Sequence, residues 1–419
     1  MRKGMGTLAV LAAALAFGLP AALGGAAATT PGVTAHSILL GGTFPLTGAA
    51  SSYAPIPRGM QAFFSYINAR KGPDGKRGVG GRQIIWKYYD DAYNPTQTVQ
   101  QTQRLVEQDK VFALVGGLGT EPQQAVRDYL NQKKVPQLYV STGATFFGSD
   151  HKKYPWTIGW QPDYQSEAAI YGRYIRDHMP NAKVAVLYQN DDYGKDYNAG
   201  FVGGLGSANS DRVVATRTFN VTDPAVTTQL VALRASGADT LMIFATPAKT
   251  IQTYATIARL GWKPGHIFVN SVSAAQVFIN TAVQLSGAST VNGSISTYYT
   301  KDPANPSWDN DPGMKLYRQI MKKYYPSGND KDANYFYGMA KGWTIVQALY
   351  KAGKNLTRES LMNAVNHLND STNPFLLPKV VVKTNAPKDN FPISQQELIQ
   401  FENGGWTPIS GLIDTRPRG

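Results

Sequence analysis

Short apolar runs ending in glycine, serine or threonine alternate along this chain with longer segments whose apolar residues recur every three or four positions. Ser37–Phe44 (SILLGGTF) is the first such run, and Arg58–Arg70 has helical spacing. Arg82–Asp90 is rich in β-branched and aromatic residues and reads as a strand. Thr96–Asp109 reads as a helix, with Asn94 as its N-cap and Pro95 in its first turn. Val111–Gly117 is a strand, Thr120–Lys133 a helix and Val135–Ser141 a strand. The rhythm breaks at His151–Asp163 and then resumes. Helices are expected at Ser166–Met179, Tyr193–Leu205, Ala225–Ser236 and Ala248–Gly261, with strands at Lys183–Asp191, Arg212–Asn220, Asp239–Thr246 and His266–Ser271.

This is β-α-β-α order, and its strand runs are apolar enough for burial on both faces. Right-handed crossovers then give mostly parallel sheets with helices on each side. The tail changes character. Gly313–Tyr325, Ala333–Gly353 and Thr357–Leu368 read as three helices, and Lys379–Thr384, Ile393–Glu402 and Gly405–Ser410 as a strand and a hairpin. These pieces are too few to build a domain alone, so they should add to the sheets already laid down.

Residues 1–28 stand apart. Arg2 and Lys3 precede the apolar stretch TLAVLAAALAFGL, and a small-residue run follows with an A-x-A site at Ala26 and Ala28. That pattern is a signal peptide. Its apolar core is too short to span a bilayer comfortably. The chain has no cysteine, which excludes disulfides, thiolate metal sites, cysteine nucleophiles and a lipid anchor at the cleavage point. A free periplasmic protein is the simplest expectation. The formal charge is +13, or +11 without Arg2 and Lys3. The densest basic cluster, Arg70–Gly78, falls in a loop after a helix, so the charge reads as solvated surface and no nucleic-acid partner is expected.

Catalytic signatures are missing. His36, His151, His178, His266 and His367 are scattered without ligand spacing, and neither H-E-x-x-H nor G-x-S-x-G occurs. The turn VGGLGTEP at Val115–Pro122 lacks both the Gly-Lys-Ser/Thr of a phosphate loop and the third glycine of a dinucleotide fingerprint. Asp191, Asp192 and Asp196 read as groups capping the helix near Tyr193. No enzyme activity, cofactor or metal is expected. What recurs instead is small polar residues after strands: Thr120 and Glu121, the loop Ser141–Thr145, Tyr193 and Thr246. In open α/β sheets ligands sit at the carboxyl ends of the strands, and helix starts there suit a carboxylate.

In this order the stretches ILLGGTFPLTGAASSYAPIPRGMQAFFSYINAR, NPTQTVQQTQRLVEQDKVFALVGG, VPQLYVSTGAT, NDDYGKD and IARLGW resemble the periplasmic solute-binding proteins of branched-chain amino acid ABC transporters. The likeness runs from about Val33 to the C-terminus. It implies two Rossmann-like α/β lobes joined by three crossovers, near Gln161, Ser296 and Lys379. Lobe 1 would hold residues 36–160 and 297–378, and lobe 2 residues 161–296 and 379–416. It implies hinge closure over a small ligand and delivery to a membrane permease by a monomer, with a stand-alone sensor of the same fold as the alternative.

The resemblance also implies site residues. Thr120, Gly143 and Thr145 correspond to ligand-carboxylate contacts, and Ser141, Thr142 and Ala144 shape their loop. Tyr53 and Tyr193 correspond to aromatics at the cleft mouth and on the second lobe, and Thr246 falls where the family often has another aromatic. Amino-acid binders of the family hold the ammonium with an acid after the strand at His266–Val269. Here Asn270–Gln276 (NSVSAAQ) has none. Either Asp163 substitutes from beside the first crossover, or the ligand lacks an ammonium.

Overall fold

The computed structural model describes residues 30–416, so the leader at 1–28 lies outside the described residues. Two sheets organise the chain. The first contains β1 (Ser37–Phe44), β2 (Gln83–Asp90), β3 (Ala113–Val115), β4 (Gln137–Val140) and β5 (Thr157–Gly159), in the order β2-β1-β3-β4-β5 and parallel throughout. The second contains β6 (Val184–Gln189), β7 (Val213–Phe219), β8 (Thr240–Phe244), β9 (His266–Val269) and β10 (Ile295–Tyr298), with parallel order β10-β9-β8-β6-β7. A ribbon of β11 (Asn369–Asp370) and β12 (Val382–Lys383) stands beside the first sheet's helices. The hairpin β13 (Gln395–Glu402) and β14 (Gly405–Asp414) adds antiparallel onto β10, as the tail's lack of a core of its own required.

Each sheet is the middle layer of a lobe. The three tail helices, Pro312–Tyr324, Ala333–Ala352 and Arg358–Asn366, join Pro55–Ala69 over one face of the first sheet around Met60, Phe63, Tyr317 and Phe336. Leu105, Val111, Leu130 and Val135 fill its other face. The second sheet has a core on each side, one around Tyr171, Tyr197 and Phe244 and one around Leu241, Tyr254 and Phe401.

The structure departs from the sequence reading at two helices and two crossovers. The helix expected over Thr96–Asp109 is α-helical only at Pro95–Gln103 and finishes as a π turn at Arg104–Gln108. The Thr120–Lys133 segment breaks into Thr120–Gln124 and Arg127–Gln132, which turns the Arg127 side chain inward. Its guanidinium donates to the Phe146 carbonyl and to Asp150, both at 3.1 Å, and lies over the Tyr154 ring. Thirdly, Val380, Val382 and Ile393 pack in the first lobe's core, so the chain re-enters the second sheet at Gln395, beyond the crossover expected near Lys379. Likewise β10 stays in the second sheet as far as Tyr298.

In both sheets strand order reverses beside the lowest-numbered strand, between β1 and β3 in one and β6 and β8 in the other. Those switch points leave a crevice beyond the carboxyl ends of the strands. The two crevices face each other, and together they form the cleft.

Candidate functional site

The turn after β3 reaches the cleft through backbone that needs glycine. Gly119 has φ +107°, and a Cβ there would stand 2.7 Å from the Tyr93 ring. A side chain is therefore excluded twice, by conformation and by space. The result places Thr120 and Tyr93 side by side in the cavity wall.

The cavity and its solvent-filled mouth together hold about 830 Å³ of empty space, and both lobes line it. Of the expected residues, Tyr53, Thr120 and Ser141 line it from the first lobe and Tyr193 and Thr246 from the second. Tyr53 is nearly buried, and its hydroxyl donates to the Val272 carbonyl across the cleft at 3.4 Å. Tyr193 meets Tyr164 edge-on at 5.3 Å. Its hydroxyl bonds the Asn270 amide, which is best oriented with its NH2 toward the Ile243 and Ala245 carbonyls and its oxygen accepting from Tyr193.

The rest of the Ser141–Thr145 loop is used differently from the family pattern. Thr142 bonds the Thr120 hydroxyl at 2.7 Å and accepts from the Ala144 amide at 3.1 Å. Gly143 lies beneath the Tyr164 ring, where a Cβ would meet that ring at 2.6 Å and the Pro162 carbonyl at 2.2 Å. Thr145 points at protein carboxylates. Its amide donates to Asp196 at 2.7 Å, and its hydroxyl bonds Asp163 and Asp196. Thr142, Gly143, Ala144 and Thr145 are therefore outside the cavity lining: Tyr164 covers the loop, and Asp196 takes the donors that would have met a ligand.

Asp163 is a further correction. One of its oxygens caps the helix Tyr164–His178 by accepting from the Ser166 amide at 2.8 Å, and the other bonds Thr145. It faces a surface groove with Arg173 and Arg416, away from the cavity. Asp191, by contrast, caps the helix Asp192–Leu205 as its position suggested.

Residues that the sequence reading did not single out make up most of the wall. Tyr93, Tyr164, Tyr298, Tyr299 and Tyr337 join Tyr53 and Tyr193, and Phe278, Gln161 and Asn334 contribute beside them. Burial pushes the phenols of Tyr53, Tyr93, Tyr193 and Tyr299 well above their usual range. At neutral pH they are hydrogen-bonding hydroxyls and cannot serve as bases. Asp302 is the one carboxylate among the described lining residues. It accepts from the Gln276 and Ala304 amides, both at 2.8 Å, and from the Tyr298 hydroxyl at 3.0 Å. Burial raises its pKa against those three stabilising donors. Behind the wall, Glu167 accepts from Ser271, Tyr171 and Tyr197 with both oxygens, which answers its burial.

Across the cleft mouth the lobes touch. Glu121 accepts from the Asp192 amide at 3.1 Å, and Thr145 reaches Asp196, so first-lobe loops meet the start of the second-lobe helix. The lobes are closed on one another. Among the described residues no helix is long and apolar enough to cross a membrane.

Known proteins share this arrangement. Residues 37–404 match the family model described as periplasmic binding protein. A Leu/Ile/Val-binding protein homolog 2 from Brucella abortus (strain 2308) is 23% identical over 328 residues, covering 77% of this chain and 81% of that one. A branched-chain amino acid ABC transporter protein from Thermus thermophilus, solved with bound valine, superposes with a TM-score of 0.76 at 15% identity, over 91% of this chain and 97% of that one. A solute-binding protein of an ABC transporter from R. palustris, solved with 4-hydroxybenzoate, superposes with a TM-score of 0.73 at 17% identity, over 91% and 98% of the two chains. With two lobes of mostly parallel sheet, three crossovers and a cleft at facing switch points, this chain belongs to the periplasmic binding protein family.

Proposed function

We propose that this chain is the extracytoplasmic solute-binding component of an ABC importer. It captures a small carboxylate-bearing ligand between its lobes and presents the closed form to a membrane permease in the periplasm. The observation that carries this is the interlobe cavity itself, walled by both lobes and closed over by Tyr53, Glu121 and their second-lobe partners. Such a site holds a ligand and couples its presence to lobe closure. Its tyrosines are neutral hydroxyls on apolar rings, which supports binding without a reaction. A monomer suffices, because one chain supplies both walls.

The ligand's second feature is best read from what faces it. Asn270–Gln276 has no acid, Asp163 is turned away, and Asp302 already serves three donors. A buried ammonium without a dedicated counter-charge costs several kcal/mol, on the order of the penalty for any unpaired buried ion. The seven tyrosines and Phe278 suit a flat or branched apolar body. The proposed ligand is therefore an aromatic or aliphatic carboxylate without an ammonium group, the class to which the 4-hydroxybenzoate bound by the R. palustris protein belongs.

A thermal-shift screen of ligand-free protein tests this. Leucine, isoleucine and valine are compared with their keto-acid analogues, aromatic carboxylates and small amides. Stabilisation grows with ligand concentration over its dissociation constant. The expected result is stabilisation by carboxylates lacking an ammonium. Stabilisation by the amino acids alone would overturn that ligand class and point to Asp302 as the ammonium partner.

A further inference from the structure

Lys341 sits in the middle of the helix Ala333–Ala352 with no measurable exposure. Its ammonium bonds the Ser141 hydroxyl and donates to the Tyr337 hydroxyl at 3.1 Å, and Ser141 and Tyr337 are both in the cavity wall. The faces of Trp160 and Tyr337 lie 5.3 and 4.5 Å away. None of the six ion pairs among the described residues includes it. Lys301 shows the ordinary solution: it is nearly as buried, and it pairs with Asp311 at 2.7 Å. Burying a lysine among neutral groups is costly, and among the described residues Lys341 has two hydroxyls and two ring faces but no carboxylate to offset it.

The same corner is where an anion's usual contacts have been removed. Tyr164 covers Gly143, and Thr145 serves Asp196 and Asp163, so the family's carboxylate loop offers only Ser141 to the cavity. From Lys341 the hydrogen bonds run outward along the wall. Tyr337 donates to the Gln161 side-chain oxygen Oε1 at 2.8 Å, and Gln161 Nε2 donates to the Tyr164 hydroxyl at 3.2 Å. Ser141 donates to the Gly116 carbonyl at 2.6 Å while it accepts from Lys341. A hydroxyl that accepts from an ammonium is a stronger donor, and each of these has one proton, so a carboxylate in the cavity takes it in place of the Gly116 or Gln161 oxygen.

We propose that Lys341 is the counter-charge for the ligand: the carboxylate docks at the corner made by Ser141 and Tyr337, and Lys341, one hydrogen bond behind them, makes the cavity selective for anions. This rests on the reading of the protein as a carboxylate binder and adds the residue that enforces it. Lys341 is a positioning residue, acting through two hydroxyls that meet the ligand. Burial pushes its pKa well below the ordinary lysine range, and an anion docked one hydrogen bond away favours its charged form.

Matched pairs of acid and primary amide test the proposal by calorimetry: 4-hydroxybenzoate with 4-hydroxybenzamide, phenylacetate with phenylacetamide, and 4-methylpentanoate with 4-methylpentanamide. In the wild type the acid of the binding pair should be favoured by roughly 30-fold or more, the scale expected when one partner of a buried charge pair is neutralised. In Lys341→Met that preference should collapse to within about threefold, while the ligand-free variant melts at or above the wild-type temperature. A purely structural role would weaken acid and amide together and lower the melt. Retention of the acid preference in Lys341→Met overturns the proposal and leaves the carboxylate reading standing. If no acid in any pair binds the wild type, the carboxylate reading itself fails. Ser141→Ala and Tyr337→Phe carry the same comparison if Lys341→Met does not fold, with a selective loss of acid binding expected in each.

Discussion

At the scale of single residues, the cleft separates side chains that hold a ligand from side chains that hold the protein. Asp163 belongs to the second kind. Its Ala variant should lose an N-cap and a bond to Thr145, lowering stability by about 1–2 kcal/mol, while the dissociation constant of a bound carboxylate stays within about twofold. Thermal melts and titrations on the same preparation check both halves. Asp91 gives a second residue-scale test. It is buried beneath the turn that presents Tyr93, accepting from the Tyr93 amide at 3.0 Å and the Thr98 hydroxyl at 3.1 Å. Burial raises its pKa to about 6. A carboxyl whose folded pKa lies above its unfolded value adds stability that is fully present below the unfolded pKa and lost as pH rises through the folded one. The stability difference between wild type and Asp91→Asn should therefore fall between pH 4 and pH 6, by up to about 3 kcal/mol, and be flat above pH 7. Urea unfolding across that range measures it, and a flat difference throughout would remove Asp91's burial from the account.

At the scale of elements, close helix contacts set where the wall residues stand. The helices Pro55–Ala69 and Ala333–Ala352 approach at Gly59 and Gly338. A Cβ at Gly59 would lie 2.2 Å from the Tyr335 carbonyl, and one at Gly338 would lie 2.2 Å from the Ile56 carbonyl. Gly338→Ala must push the two helices apart. It should cost about 1–3 kcal/mol, and it should weaken ligand binding too, because Tyr53, Asn334 and Tyr337 ride on the ends of these helices. The element scale also shows what the sequence made legible. Strand runs such as SILLGGTF were readable because apolar stretches bounded by glycine and threonine suit little else, and the carboxyl-end rule then located Thr120, Ser141, Tyr193 and Thr246. Asp163 and Thr145 misled because a polar residue beside a crossover looks the same in sequence whether it faces the cleft or caps a helix. Tyr164 and Tyr337 were hidden in helices whose apolar spacing reads as core. Lys341 did leave a signal: a lone charge inside YFYGMAKGWTIV, on a helix apolar all round, has no solvent face to occupy.

At the scale of the whole molecule, affinity depends on how well the lobes stay shut. Glu121 contributes by accepting the Asp192 amide across the mouth, and Tyr53 by reaching Val272. Removing Glu121 with Ala should favour the open form, raising the ligand off-rate by roughly three- to tenfold, the worth of one ordinary hydrogen bond. Stopped-flow dissociation would show it, with on-rates changing much less. Solution scattering should report a smaller radius of gyration with ligand than without, in wild type and variant alike once saturated.

The most direct test of the central claim, that this chain holds a small carboxylate and leaves it chemically unchanged, is to identify what it retains. Ligand-free protein is equilibrated with the carboxylate, amino-acid and amide panel, separated from excess by rapid gel filtration and denatured, and the released molecules are counted by mass spectrometry. The expected result is one equivalent per chain of an unaltered carboxylate without an ammonium group. Release of a chemically modified product, or retention of an amide or amino acid in preference to every such carboxylate, would contradict it.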